Sequence, residues 1–196
     1  MIAETERLYI RELSNDDVAV VFALYSDKEA MKFRGSKSFE NIEEASIMIK
    51  NVIENSKTKT EFRYGIIEKS SNDLIGTFLI TPVSKTICKI GCSFGKKYWR
   101  LGYGFEVMSI MINYLQNLQY KIIIGLIKKE NIPSIKLVEK LKFKFIEQTE
   151  FPEFYQYEFD VKLHELDKRV LEFKKNPNSG VHPFEFLDSL KSKYLL

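Results

Sequence analysis

Residues 99–104 (WRLGYG) have the residue types and the position of a loop that binds phosphate groups. They follow a strand-like stretch and open a helix-like stretch, where free backbone amides and the positive end of the helix dipole attract anions. Gly102 and Gly104 allow the backbone to turn tightly and to approach a ligand closely. Three cationic side chains add positive charge here, namely Lys96, Lys97 and Arg100. Because a glycine pair also occurs in ordinary strand-to-helix turns, the loop needs independent support as a binding site.

The elements that must position this loop alternate between strands and helices. Apolar alternation and short apolar runs predict about seven strands, over residues 6–13, 62–69, 74–81, 86–94, 120–127, 143–151 and 154–161. Apolar residues at helical spacing predict helices after the capping residues Ser14 and Asn41, over residues 104–117 and over residues 131–142. This order predicts a mixed α/β (α+β) fold.

A second motif and the N-terminal strand, taken with the loop, resemble the GNAT acetyltransferases. Trp99-x-x-Gly102-x-Gly104 is similar to the pyrophosphate loop of that family, Gln/Arg-x-x-Gly-x-Gly/Ala, with Trp99 in the first position and Arg100 where glycine is usual. Trp99 followed by Glu106 resembles the branch that acetylates the N-termini of ribosomal proteins. Two further segments resemble that branch, Thr5-Glu6-Arg7-Leu8-x-Ile10-Arg11 and Asn131-x-x-Ser134-x-x-Leu137-x-Glu139-Lys140-Leu141-x-Phe143.

This resemblance covers residues 5–163 and implies a mostly antiparallel central sheet of about seven strands flanked by helices. The fourth strand of the family corresponds to residues 90–94, and its separation from the next strand would admit the pantetheine arm of acetyl-CoA. We expect a GNAT acetyltransferase domain over residues 1–163, and over residues 164–196 a C-terminal helical extension packed on the core or on a partner subunit. The resemblance implies these cofactor-binding residues: Ser93, Phe94, Trp99, Arg100, Leu101, Gly102, Tyr103, Gly104, Asn131 and Ser134.

Acetyl transfer to an amine requires a neutral amine, a polarised thioester carbonyl and a stabilised thiolate. In the family, a backbone amide of the fourth strand polarises the carbonyl, here near Ser93 or Phe94. Many members protonate the thiolate with a tyrosine, but Val138 occupies that position here. The ribosomal-protein branch assigns the role to a serine that corresponds to Ser134, which could equally serve to cap its helix.

The remaining catalytic roles are less well determined by the sequence. Asn131 would hydrogen-bond to pantetheine, cap the following helix, or do both. Glu61 and Glu130 are the candidate general bases, although either can also be an ordinary solvated carboxylate. No short motif identifies the acceptor, so a ribosomal protein, a polyamine, an amino acid and an aminoglycoside all stay open. The alternative function is a catalytically weak CoA-binding sensor or scaffold.

Size, charge and composition argue against several other classes of protein. A chain of 196 residues with 44% hydrophobic residues suits one folded domain. A net charge of +3, from 30 basic and 27 acidic residues, gives no reason to expect a nucleic-acid partner. No apolar run reaches the roughly 18 residues that cross a membrane, and the N-terminus lacks a secretory pattern. We therefore expect a cytoplasmic protein, a monomer or a homodimer.

The cysteines and histidines are too few and too scattered to suggest a disulfide bond or a metal site. Cys88 and Cys92 lie four residues apart in a predicted strand, which separates them by about 13 Å. That separation exceeds the reach of a disulfide, so free thiols are expected. His164 and His182 have no partner at metal-ligand spacing. No metal is expected.

Overall fold

The computed structural model describes residues 1–146, 151–165 and Lys168. Its helices are α1 (Val18–Ser26), α2 (Lys28–Met31), α3 (Ile42–Thr58), α4 (Tyr103–Asn117) and α5 (Ile132–Lys140). Its strands are β1 (Ala3–Glu4), β2 (Leu8–Glu12), β3 (Phe62–Glu68), β4 (Leu74–Pro82), β5 (Ile87–Phe94), β6 (Ile122–Lys128), β7 (Lys144–Ile146) and β8 (Phe154–Asp160). Short 3₁₀ turns at Asn15–Asp17 and Lys96–Tyr98 precede α1 and the glycine loop, and residues 161–165 are helical.

These strands form one sheet in the order β1-β2-β3-β4-β5-β6-β8-β7. Every neighbouring pair is antiparallel except β5 and β6, which run parallel. The prediction of a mixed, mostly antiparallel sheet flanked by helices is confirmed. The strand beyond the predicted seven is β1, whose two residues pair with Tyr9 and Ile10. Two residues are too few to show the alternation that identifies a strand in a sequence.

The predicted helix starts depend on capping contacts that the structure contains. The side chain of Asn41 accepts the amide of Glu44 at 3.2 Å, and the Glu44 carboxylate accepts the amide of Asn41 at 3.3 Å. This reciprocal pair is the predicted capping box of α3. The Asp17 carboxylate likewise accepts the amide of Ser14 at 2.8 Å, just before α1. Helix α2 was not predicted, because four residues are too few to show helical spacing.

Helices cover both faces of the sheet, and each face buries its own cluster of apolar side chains. Helices α4 and α5 cover one face through residues such as Val107, Met111 and Val138. Helices α1 and α3 cover the other through Val21 and Ile49. Successive side chains of a strand point to opposite faces, so each face also receives alternate residues of β3 and β4. This alternation decides which polar strand residues lie beneath α1 and α3.

The chain beyond β8 is only partly described. The predicted helices over residues 165–175 and 183–196 lie almost entirely outside the described residues, and so does His182. The boundary between a domain ending at residue 163 and a C-terminal extension therefore stays a prediction. The described part ends in helical residues at 161–165, where the His164 ring lies 4.7 Å from that of Phe159.

Candidate active site

The sheet opens between β5 and β6, as the sequence predicts. The two strands pair in parallel only between Ile87 and Ile90 on the β5 side. Beyond Ile90, β5 continues to Phe94 along β4, while β6 continues to Lys128 along β8. Because the two strands diverge, they leave a gap in the middle of the sheet. A narrow, extended chain such as pantetheine can enter a gap of this kind.

The backbone amide of Phe94 faces this gap. The amide of Gly95 donates to the carbonyl oxygen of Ile75 in β4 at 3.0 Å. Amides alternate between the two sides of a strand, so the Ser93 amide also faces β4 and the Phe94 amide faces the opposite side. The Ser93 hydroxyl lies 3.3 Å from that of Thr77. Of the two positions predicted to polarise a carbonyl, Phe94 therefore has its amide in the gap.

Residues 99–104 form a tight turn, and the backbone amides of residues 100–104 are free to bind a ligand. Gly102 caps α4 with a φ of +83°, and Arg100 has a φ of +61°. Both angles lie in the left-handed region, which explains why glycine suits these two positions. Within the described residues, the amides of residues 100–104 have no protein acceptor. These amides point outward at the start of a 15-residue helix, where the helix dipole favours an anion.

The side chains of this loop are engaged with the protein and not with the loop amides. The indole N–H of Trp99 donates to the carbonyl oxygen of Phe94 at 3.0 Å, and the side chain of Leu101 is half exposed. Tyr103 is buried, and its hydroxyl donates to Glu68. The backbone is therefore the part of the loop that can surround a phosphate.

The N-terminal motif holds this loop in place. The guanidinium of Arg7 donates to the carbonyl oxygen of Leu101 at 3.0 Å, pairs with Glu106 at 2.6 Å and lies 4.5 Å from the ring centroid of Tyr103. The Thr5 hydroxyl also donates to Glu106. Burial raises the pKa of Glu106, but the hydrogen bonds from Thr5 and Arg7 outweigh it and bring that pKa below its usual value. An ionised Glu106 thus joins the first strand to the first turn of α4.

Gly104 of α4 lies next to Leu137 of α5. A Cβ atom at this position would lie 3.1 Å from Cδ2 of Leu137 and 3.9 Å from the ring of Phe94. The glycine therefore keeps space at the place where the free amides, the gap and α5 meet. Free amides suit a pyrophosphate and the gap suits pantetheine, so the residues present fit CoA.

The start of α5 brings two predicted residues into the same cleft. The side chain of Asn131 accepts the amide of Ser134 at 3.3 Å, so Asn131 is the residue that caps the helix. The Ser134 hydroxyl has no hydrogen-bond partner among the described residues, and both side chains line the cleft. Val138, one turn further along, is buried and apolar. The free hydroxyl at this helix start therefore belongs to Ser134.

The two candidate bases lie in different places. Glu61 lines the cleft, just before β3, and its carboxylate accepts from Arg63 at 3.4 Å. Glu130 is exposed and is not among the residues that line the cleft. The structure thus brings Glu61 and Ser134 to one cavity and leaves Glu130 outside it.

The cleft has a volume of about 740 Å³ and extends from the gap to the helices α1 and α3. Its far end, which we call the acceptor end, is lined by side chains that the sequence analysis did not single out: Tyr25, Arg34, Arg63 and Thr77. The sequence contains a signal for Arg63, because a charged residue stands there in a mostly apolar strand. Successive side chains of a strand point to opposite faces of the sheet, so Arg63 must lie on one particular face. Nothing local to Arg34 indicates its place in the cleft.

A chain of hydrogen bonds connects the acceptor end with β5. Nη1 of Arg63 donates to the Tyr25 hydroxyl at 2.8 Å, and the hydroxyls of Tyr25 and Thr77 are hydrogen-bonded at 2.8 Å. The Thr77 hydroxyl in turn contacts that of Ser93. Burial raises the pKa of Tyr25, but the charges of Arg63 and Arg34 outweigh it and bring that pKa below its usual value. These side chains form one connected polar surface under α1.

Both cysteines are free thiols, as predicted. Cys88 is fully buried, whereas Cys92 lines the cleft. Burial raises the pKa of the Cys92 thiol to about 12. At neutral pH this side chain is therefore a protonated thiol, which is a weak nucleophile.

In residues 1–146, 151–165 and 168, no cluster of three or more His, Cys, Asp and Glu side chains is arranged to hold a metal ion. No helix in the described part of the chain is long and apolar enough to span a bilayer.

Comparison with known proteins identifies the family. Residues 7–144 match the acetyltransferase (GNAT) domain. The N-acetyltransferase p20 of Bacillus licheniformis is 30% identical over 143 residues, which cover 71% of this chain and 80% of that protein. An acetyltransferase (GNAT family) from Bacillus anthracis has a TM-score of 0.69 at 22% identity and covers 81% of this chain and 96% of its own. The microcin C7 self-immunity acetyltransferase MccE, solved with acetyl-CoA and AMP, has a TM-score of 0.71 at 12% identity. The match covers 80% of this chain and 94% of MccE. The chain belongs to the GNAT family and is an acetyl-CoA-dependent acetyltransferase.

Proposed function

We propose that this enzyme transfers the acetyl group directly to a primary amine in a ternary complex. The acceptor would be the α-amine of a peptide, a protein or an amino acid, or a small-molecule amine. The observation that carries this proposal is a single cleft that contains the β5–β6 gap and Ser134 at one end and the acceptor end at the other. Both substrates can therefore meet without leaving the protein. Acetyl-CoA, when bound, supplies the acetyl group as a thioester.

The residues of the gap would hold and orient the cofactor. The free amides of residues 100–104 would bind the pyrophosphate. The side-chain NH₂ group of Asn131 remains available to pantetheine, because the cap uses its oxygen. The Phe94 amide would stabilise the negative charge that develops on the thioester oxygen. The Ser134 hydroxyl would donate a hydrogen bond to the departing sulfur.

Glu61 is the proposed general base, since it lines the cleft and Glu130 does not. The demand on this base depends on the acceptor. The terminal α-amine of a peptide or protein has a reference pKa of about 7.7–8.0, so a sizeable fraction is neutral near pH 7, whereas a lysine-type amine is mostly protonated. For the α-amine, a carboxylate such as that of Glu61, or water, is a sufficient base. This comparison favours an α-amine.

The protonation state of Cys92, the cysteine that lines the cleft, favours direct transfer over a covalent acetyl-enzyme. Its raised pKa leaves Cys92 protonated at neutral pH, and the thiolate is the form that attacks a thioester.

The experiment is a thiol-release assay over a panel of amines, with product mass as a second readout. Amine-dependent release with a matching acetylated product supports the enzyme. The opposing result is tight binding of acetyl-CoA with no amine-dependent release from any member of the panel. That result would instead favour the alternative of a CoA-binding sensor or scaffold.

A further inference from the structure

Two arginines from different elements meet at the acceptor end of the cleft. Arg34 lies in the loop that follows α2, and Arg63 lies on β3. Both line the cleft, and Nε of each is buried without a hydrogen-bond partner among the described residues. Buried donors without an acceptor are rare and costly. The described residues therefore leave part of the hydrogen-bonding capacity of both guanidinium groups unused at the wall of the cleft.

The two arginines differ in how much of their charge the protein compensates. Arg63 is only 17% exposed, donates to the Tyr25 hydroxyl at 2.8 Å and pairs with Glu61 at 3.4 Å. Arg34 stacks over the Tyr25 ring, 4.0 Å from its centroid, and no described carboxylate pairs with it. A guanidinium that is partly buried and has no carboxylate partner is only partly compensated for its desolvation. Arg34 thus carries the charge that a ligand would balance.

The other ionisable groups of the cleft do not supply that balance. Glu44 accepts the amides of Glu40 and Asn41 at 2.6 and 3.3 Å, so its charge serves the N-terminus of α3. Glu61 is paired with Arg63. Both carboxylates are therefore engaged elsewhere, and neither forms an ion pair with Arg34.

The walls around Arg34 are apolar. Phe33, Phe39 and Met48 line the same end of the cleft, and Phe39 stacks on Tyr25 with ring centroids 5.1 Å apart. A ligand that fills this end would therefore combine a compact anion with an apolar portion. A guanidinium binds a carboxylate with two parallel hydrogen bonds, which makes that anion the best match.

We propose that the acceptor is an amine that also carries a carboxylate, and that Arg34 binds this carboxylate. The proposal rests on the proposed function and narrows its substrate to amino acids and to peptides with a nearby acidic group. It disfavours polyamines and aminoglycosides, since their charges would lie beside two guanidinium groups.

The test compares amines that differ only in the carboxylate. The rate of acetyl transfer is measured with leucine, with leucinamide and with spermidine, for the parent, for Arg34→Gln and for Arg34→Lys. We expect kcat/KM for leucine to fall about 10- to 100-fold in Arg34→Gln, as for loss of a charged hydrogen bond. The value for leucinamide should change little, and Arg34→Lys should recover part of the loss. Lys37→Gln removes an exposed cation of the same loop and should match the parent.

A peptide pair identifies the source of the carboxylate. Dipeptide and tripeptide amides with aspartate or asparagine at the second position, whose C-termini carry no carboxylate, are compared with free leucine. Preference for the aspartate peptides assigns an acidic protein N-terminus, and preference for leucine assigns a free amino acid. The proposal would be overturned if leucine and leucinamide were acetylated at equal rates and the aspartate and asparagine peptides were too.

A binding measurement separates this inference from the proposed function. Calorimetry of the CoA-bound protein with N-acetylleucine and with N-acetylleucinamide needs no turnover. Binding of the acid alone, lost in Arg34→Gln, upholds the carboxylate site even if no amine is acetylated, in which case the proposed function fails by itself. The same affinity for acid and amide, or an equal loss of both in Arg34→Gln, would rule out the carboxylate site.

Discussion

The cofactor end and the acceptor end of the cleft are built from different kinds of group. The cofactor end consists of the edge of β5 in the cleft, together with the free backbone amides of residues 100–104, which adjoin the cleft but do not line it. The acceptor end uses the side chains of Tyr25, Arg34 and Arg63, which come from a helix, a loop and a strand. A backbone site needs glycines at fixed spacing and so leaves a local signature. A side-chain site leaves none, because its members come together only in the folded chain.

This difference has a functional consequence. Backbone amides bind phosphate whatever the neighbouring side chains are, so the cofactor end can stay constant while the acceptor end changes. Single substitutions at the acceptor end should therefore alter which amine is used, whereas substitutions at the loop should affect every substrate alike.

The largest effect is expected at the loop itself. Gly104→Asp places a Cβ about 3 Å from Leu137 and a negative charge at the start of α4. We expect acetyl-CoA binding to weaken by at least about 100-fold, measured by calorimetry. Gly104→Ala adds bulk without charge, and it should cost less because the nearest atom is the mobile end of a leucine. Parent-like binding by Gly104→Asp would contradict the assignment of this loop.

A smaller effect is expected at Ser134, beside the gap between β5 and β6. Ser134→Ala removes a hydroxyl that has no partner among the described residues and leaves the cap intact, since the cap uses the Ser134 amide. We expect kcat to fall roughly 10- to 100-fold, near or below the low end of general-acid effects, with acetyl-CoA affinity unchanged. Asn131→Ala is the contrast, because loss of the cap should lower stability by about 1 kcal/mol. A folded Ser134→Ala enzyme with unchanged kcat, where chemistry limits the rate, would remove Ser134 from the mechanism.

The acceptor end also depends on a buried ion pair that supports α1. Arg11 pairs with Asp17 at 2.8 Å, just before the helix that carries Tyr25. Burial raises the pKa of Asp17, but hydrogen bonds from Arg11 and Ser14 outweigh it and bring that pKa below its usual value. We expect Asp17→Asn to lower the free energy of unfolding by about 1–3 kcal/mol near pH 7. Asp16→Asn, an exposed neighbour, should have little effect.

The same pair gives a pH dependence of known sign. Because the folded pKa of Asp17 lies below the unfolded one, its contribution is complete above the unfolded pKa of about 3.9 and is lost as the pH falls through the folded pKa. Denaturant unfolding of the parent and of Asp17→Asn should therefore converge in acid. If the free energies of unfolding of the parent and of Asp17→Asn differed by the same amount from pH 7 to pH 2, the result would argue against the ion pair.

The smallest effect is expected for Cys92. A thiol that stays protonated at neutral pH contributes no nucleophile, so Cys92→Ala should keep kcat within about twofold. Intact-mass measurement of the parent with acetyl-CoA and no acceptor should detect no acetylated enzyme. A stable acetyl adduct that disappears in Cys92→Ala would replace direct transfer with a covalent route.

Most of the framework was predictable because its signals are local. Strands β2 to β8 and the helices α1, α3, α4 and α5 follow from alternation, helical spacing and caps. The prediction of helix α4 over residues 104–117 is confirmed within one residue, and the Asn41–Glu44 capping box forms as expected. The elements β1 and α2 were missed because neither is long enough to show a period.

The sequence by itself was enough to predict a phosphate-binding loop at residues 99–104 and the family. It also predicted that Asn131 and Ser134 lie at the start of a helix. These depend on glycine geometry and on residue spacing within single segments. Only the tertiary structure decided that Phe94 and not Ser93 presents its amide to the gap, because that choice depends on the register of β5 against β4. Only the tertiary structure brought Arg34 to Arg63, Glu61 into the cleft and Glu130 outside it. Their proximity depends on how α1, α3 and β3 pack together, and no single segment encodes that packing.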